Sequence, residues 1–289
     1  MDYLFHILVI LNIYIILSVS SSLMVGLSNL LSLGQAAFYG VGAYITALAL
    51  IHFGFSLIPA ILLAIFCTLI LSIALSFVIL KFEGDFFVLV TLGFQIIVYT
   101  ILYNWISVTK GPYGIPGIPS PKIFRLWEIN TTLGFAILSA LFMLITLLVF
   151  YRLVYSPFGR ALRAMRDDSI AFTAMGRNPA KYKIWTFVLS SSFAAVSGFI
   201  YASYISYIDP TSFNLDESIF IITAVLIGGT GNIKGPLLGA AFVVILPEAL
   251  RFVGMPDAIA ANLRMIIYGI FIVFLMIYRP QGIAGVTKI

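Results

Sequence analysis

Between Tyr3 and Leu80 the chain carries no aspartate, glutamate, lysine or arginine. A helix in water needs a charged or polar face, so this stretch is not a run of water-soluble helices. Charge is thin elsewhere too. Of the 289 residues, 9% are charged and 62% hydrophobic, whereas soluble domains average roughly 25% and 45–50%. A single cysteine, Cys67, excludes a disulfide framework and a cysteine-based metal site. The two histidines, His6 and His52, stand far apart and read as residues near span ends, so no metal site is expected. The N-terminus has Asp2 but no basic residue. It lacks the basic region of a cleaved signal and reads as a retained first span.

What is present is a series of apolar runs. They predict spans at 3–23, 35–52, 57–80, 86–108, 133–153, 184–206, 218–230, 236–252 and 263–279. The seventh is short for a full crossing, and the second and eighth are rich in glycine. Half-spans and re-entrant segments are tolerated where protein or a cavity covers their backbone. The expected fold is all-α, a polytopic transmembrane bundle of about eight to ten spans, some short or broken. The whole chain, 1–289, reads as one transmembrane domain.

Seven of the 16 basic residues lie between Arg152 and Lys183. In a soluble chain such a cluster suggests nucleic acid. Between two long apolar segments the positive-inside rule accounts for it, so no nucleic-acid partner is expected. The loop 154–183 is therefore placed in the cytoplasm. Counting outward puts 109–132 and 207–217 outside, with Asp209, Asp216 and Glu217 in the latter. The same count puts the C-terminal tail inside and the N-terminus outside. The 109–132 loop holds prolines 112, 116, 119 and 121, which forbid a regular helix.

Three segments are candidates for mechanism. The first is 156–183. Ser156-Pro157 is a helix start, Gly176 a helix stop, and Asn178-Pro179 a cap for the next helix. Leu162, Met165, Phe172 and Met175 fall on one side of the resulting short helices. Arg160, Arg163 and Asp167 fall on another. Such an element either meets a soluble partner or rests on lipid headgroups.

The second segment is 227–240, with Gly228, Gly229, Gly231, Gly235 and Gly239. It is not a phosphate loop, because Ile233 precedes Lys234 and no hydroxyl residue follows it. Any ATP hydrolysis must come from a partner. The glycines predict a packed turn between half-helices, or a broken-helix turn lining a pathway. The third segment is 27–48, where Gly34, Gly40 and Gly42 make one face small and Asn29, Ser32 and Gln35 add uncharged polarity. A pore-side helix and a dimer-facing helix read alike here, and core packing accounts equally well for any single residue. Intramembrane charge is nearly absent: Glu248 and Arg251 sit near the end of the eighth span and Arg264 at the start of the last. Proton-coupled carriers use intramembrane acids, so energy from outside the membrane is expected.

The stretches SLGQAAFYGVGAY (32–44), SPFGRALRAMRDDSIAFTAMG (156–176) and SYIDPTSFNLDESIFIITAVLIGGTGNIKGPLLGA (206–240) resemble the LivM-like permease subunits of branched-chain amino-acid ABC importers. The resemblance runs from about Leu27 to Gly282. It implies a coupling helix within 156–176 that docks on an ATPase, with Arg163, Arg166, Asp167, Asp168, Ala171, Ala174, Met175 and Gly176 as its candidate residues. It implies a translocation path, gate or packing point at Ser32, Gly34, Gln35, Gly40, Gly42, Gly228, Gly229, Gly231 and Gly235. It also implies a LivH-like second permease, two cytoplasmic ABC ATPases that bind ATP and Mg, an external solute-binding protein, membrane lipid, and the bacterial cytoplasmic membrane. No cofactor is expected on this chain. Related importers serve urea, short amides or other amino acids. A stand-alone secondary carrier is the competing class. A membrane enzyme lacks a nucleophile–base pair or metal cluster.

Overall fold

A computed structural model describes residues 2–79, 81–82, 84–123, 127–129, 131–252 and 281–285, with scattered positions between 263 and 278. The helices, in chain order, are α1 (Asp2–Ser28), α2 (Gln35–Phe53), α3 (Leu57–Ile79), α4 (Asp85–Asn104), α5 (Ile106–Thr109), α6 (Thr132–Tyr155), α7 (Pro157–Asp167), α8 (Ser169–Ala174), α9 (Pro179–Ile205), α10 (Leu215–Gly228) and α11 (Lys234–Phe252). Among the described residues, six of them, α1 to α4, α6 and α9, are long and apolar enough to cross a membrane. The described positions of the sequence-predicted span at 263–279 are helical, and Arg264 lies outside the described residues.

Local chemistry sets most helix ends. The Ser156 side chain accepts from Gly159 N, with Pro157 in the first turn of α7. The Asn178 side chain accepts from Ala180 N, with Pro179 opening α9. Thr131 caps α6 through Gly134 N. Each side-chain oxygen satisfies one of the N–H groups a helix start leaves free. Gly54, at φ 57°, ends α2 in the left-handed conformation.

Helices α1, α2 and α9 form the centre of the bundle. Glycine decides how close α2 and α9 come. A Cβ on Gly42 would lie 2.7 Å from Ala195 Cα and 2.9 Å from Ala195 O. One on Gly198 would lie 2.6 Å from Ala43 N. The two backbones are in contact there, which small residues permit. The flanking helices α3, α4 and α6 turn Leu62, Phe66, Ile97, Leu144 and Leu148 outward. An apolar surface of that extent belongs against lipid or protein, not water.

The two ends of the bundle are distinct. One carries α7 and α8 and the arginines; it is called the basic end. Arg166 reaches the carbonyl of Gly26, so α1 finishes there. At the opposite end His6 Nδ1 is 2.7 Å from the Tyr204 hydroxyl, joining the start of α1 to the end of α9. Residues 115–116 pair antiparallel with 207–208 at that same end.

The segment after residue 208 departs from the sequence expectation. It was expected to lie wholly outside, but its second half folds back into the bundle. Gln95 Nε2, in the middle of α4, donates to the carbonyl of Phe213 at 2.8 Å. Helix α10 therefore starts inside the bundle. Its 14 residues span about 21 Å at 1.5 Å per residue, short of the roughly 30 Å hydrocarbon layer. Helix α11, with 19 residues, covers the span expected at 236–252.

Candidate functional site

At the basic end, α7 and α8 form a braced platform. The arginines of α7 brace it from within. Arg160 Nη1 donates to Tyr155 O at 3.1 Å, and Arg163 Nη2 to Val154 O at 3.1 Å. Both carbonyls belong to the last turn of α6, where no intrahelical partner exists. Arg166 Nη1 donates to Gly26 O at 2.7 Å, in the last turn of α1. The last turn of α1 supplies no basic residue of its own. The cation on α7 complements the negative end of that helix dipole. The basic cluster thus caps helices of this chain, a role that charge counting did not reveal.

Helix α8 is fixed on this base. Asp168 Oδ1 accepts from Ile170 N and Ala171 N, both at 2.9 Å. Phe172 is buried, 1% exposed, edge-on to Tyr182 at 5.2 Å with the Arg177 guanidinium 5.9 Å above it. Leu162 and Met165 are buried beside it, as their spacing predicted. Met175 is not. It is 66% exposed, because α8 ends at Ala174 and Gly176, at φ 77°, turns the chain away. Ile170 is 82% exposed. Asp167, Ala171, Ala174 and Gly176 are exposed as well. The outer face of α8 is therefore a small apolar tip on a braced base.

The glycine segment 228–235 is a tight turn between α10 and α11. A Cβ on Gly228 would lie 2.7 Å from the Gly235 carbonyl carbon, and one on Gly239 would lie 2.7 Å from that of Ala224. Gly229 and Gly231 adopt φ 90° and 94°, which side chains disfavour. Ile283 N and Ala284 N donate to Ile227 O and Gly228 O at 2.9 and 3.0 Å. Those bonds satisfy the end of α10. These glycines pack backbones together. Gly26 of α1 faces the same turn, since a Cβ there would lie 3.1 Å from Thr230 Cβ. Arg166, α1 and the turn thus meet at one residue.

The break between α1 and α2 is buried and polar. Ser32 Oγ accepts from Gly34 N at 3.2 Å. Gln35 Nε2 donates to Ser190 Oγ at 2.6 Å, and Gln35 Oε1 accepts from Ser20 Oγ at 3.2 Å. Ala36 N donates to Ser218 Oγ at 3.0 Å, which ties α2 to α10. Gly40 gives room to Phe213, whose Cβ and Cγ would each lie 2.9 Å from a Cβ there. Ser32, Gly34, Gln35, Gly40 and Gly42 thus make close contacts or hydrogen bonds within the bundle.

The structure contains a cavity at residues the sequence did not single out. It measures about 220 Å³ and is walled by Tyr14, Tyr39, Tyr201, Ser212 and Glu217, with Ile10 and Ile13 beside them. Glu217 Oε1 accepts from the Tyr14 hydroxyl at 2.8 Å. Tyr14 lies about 18 Å along α1 from Gly26 and about 12 Å from His6. Glu217 is therefore deep within the bundle, not in an external loop. The inward fold of 209–214 carries it there. This corrects the expectation that Glu217 lies in the external loop 207–217. An acid opening an apolar run was the available signal, but its depth depends on contacts with distant helices.

The family described as branched-chain amino acid transport system / permease component matches residues 3–276. The chain is 32% identical over 298 residues to the high-affinity branched-chain amino acid transport system permease protein LivM of Salmonella typhimurium. That match covers 96% of this chain and 68% of the relative. It is 29% identical over 212 residues to the probable branched-chain amino acid transport permease protein LivM of Methanocaldococcus jannaschii, covering 70% and 61%. LivH of Salmonella typhimurium is 25% identical over 194 residues, covering 64% and 60%. No solved structure matches the chain.

Proposed function

Since this chain belongs to the permease family of branched-chain amino acid transport systems, we propose that it is one permease subunit of an ATP-driven importer for branched-chain amino acids. Its partners in this reading are a LivH-like permease, two ATPases that bind ATP and Mg, and an external solute-binding protein. The basic end faces the bacterial cytoplasm and the opposite end faces the binding protein.

The observation that carries the reading is the α8 tip. Ile170 and Met175 stand out from a surface anchored beneath by Phe172 and capped by Asp168. A lipid-surface helix does not need an outward apolar tip at the end that faces solvent. A soluble partner with an apolar groove does. Movement of that partner is passed to α7, then through Arg166 to the end of α1 and the Thr230–Gly231 turn. The turn is continuous with α10, which carries Glu217. Alternating access then follows from α10 and α11 shifting against α1.

The test is co-purification of the tagged chain in mild detergent, with Ile170→Asp as the variant. The wild type is expected to retain ATPase subunits and a second permease, and Ile170→Asp to lose the ATPases while keeping the permease. Recovery of the wild-type chain alone across several detergents would sink the importer reading and favour a stand-alone carrier.

A further inference from the structure

The Glu217 cavity has a specific chemistry. It places a carboxylate, three tyrosines and a serine hydroxyl around about 220 Å³, inside a bundle whose other central side chains are apolar or uncharged. That volume equals about seven waters, so it suits a small solute and not a sugar chain or peptide. Ionisable groups at such depth are costly and are kept where they face a cavity or a pathway. Tyr39 and Tyr201 meet edge-on at 5.5 Å, and Phe213 buttresses both, at 4.9 and 5.7 Å. Tyr201 is also tied to Ser212 at 3.2 Å. The aromatic wall is thus held in place before any ligand arrives.

We propose that this cavity is a subsite for the primary ammonium group of a zwitterionic amino acid on the translocation path. The Glu217 carboxylate is its counter-ion, and the rings of Tyr14, Tyr39 and Tyr201 are its wall. The proposal rests on the importer reading above and adds to it the group by which the solute is held. A carboxylate repels the solute's own carboxylate, so the ammonium end enters. An ammonium–carboxylate hydrogen bond is roughly twice as strong as a neutral one. Tyrosine faces attract a cation further. Urea or a neutral amide gains neither effect. Ile10 and Ile13 supply the apolar side on which an aliphatic side chain can lie. Holding is weak enough for release, since the site offers one charge and is open to the bundle surface.

The test uses the assembled importer complex, with tritiated L-leucine binding read by scintillation proximity. Isoamylamine keeps the ammonium and lacks the carboxylate; isocaproate has the reverse pattern. Isoamylamine is expected to displace leucine and isocaproate to fail. Glu217→Gln is expected to weaken leucine binding at least about tenfold, with Glu217→Asp recovering part of it. Assembly is checked by size-exclusion chromatography. If Glu217→Gln does not assemble, Tyr39→Leu is read in its place, with an expected loss of about three- to tenfold. Unchanged leucine binding in the assembled variant, or equal displacement by both analogues, overturns the subsite. So does a wild-type complex that transports leucine without binding it here. A wild-type complex that transports urea or an amide but no amino acid overturns the substrate reading instead.

Discussion

Adding one methyl group at Gly42 and the same group at Gly93 should move stability in opposite directions. At Gly42 a Cβ would lie 2.7 Å from Ala195 Cα and 2.9 Å from Ala195 O. Both atoms are backbone, so no rotamer change relieves the clash and α2 must move away from α9. Overpacking of this kind costs about 1–3 kcal/mol. At Gly93, within α4, a Cβ would meet nothing within 4 Å. There alanine only removes backbone freedom from the unfolded chain, and the gain is roughly 0.5–1 kcal/mol. The assay is thermal unfolding of the purified chain in one detergent. The two variants should differ by several degrees, on the order expected for a few kcal/mol. Gly42→Ala with Gly198→Ala should cost less than the sum of the singles, because one helix displacement relieves both clashes. Equal shifts for Gly42→Ala and Gly93→Ala would refute the close-contact argument.

Arg166→Ala removes a charged donor from the end of α1 and should destabilise the protein by about 1.5–3 kcal/mol. Arg166→Lys should recover part of this, and leucine uptake per ATP hydrolysed should fall in both variants if α7 drives α1. Asp209 carries a pH signature. Burial raises its pKa, but bonds from the Ser212 and Thr211 hydroxyls and from Ser212 N outweigh burial and hold it below the usual carboxylate value. The stability it contributes is complete above the unfolded value of about 3.9 and is lost as pH falls through the lower folded value. Asp209→Asn should abolish that acid-side loss, read as melting temperature against pH.

The membrane-spanning character and all-α architecture were legible from residues 3–80 alone, because an apolar run without charge has few other solutions. The caps at Ser156 and Asn178 were equally legible, since they act over a few residues; the cap at Asp168 was not read. The close backbone approach at 228–235 was legible as one of two readings, because such contact requires glycine wherever the partner lies. Other features were not local. Arg160, Arg163 and Arg166 looked like surface charge, yet each caps a helix end. For Arg166 that end is α1, which is remote in sequence. Met175 shared a helical face with Phe172 until Gly176 ended α8 one residue too early to bury it. The depth of Glu217 follows from Gln95 and Tyr14 drawing 213–217 inward, through bonds spanning more than a hundred residues. The sequence determined the long apolar helices and the caps at which helices such as α7 and α9 begin. Tertiary structure alone decided which end each arginine serves and that an acid faces a tyrosine-lined cavity, because those depend on where distant helices meet.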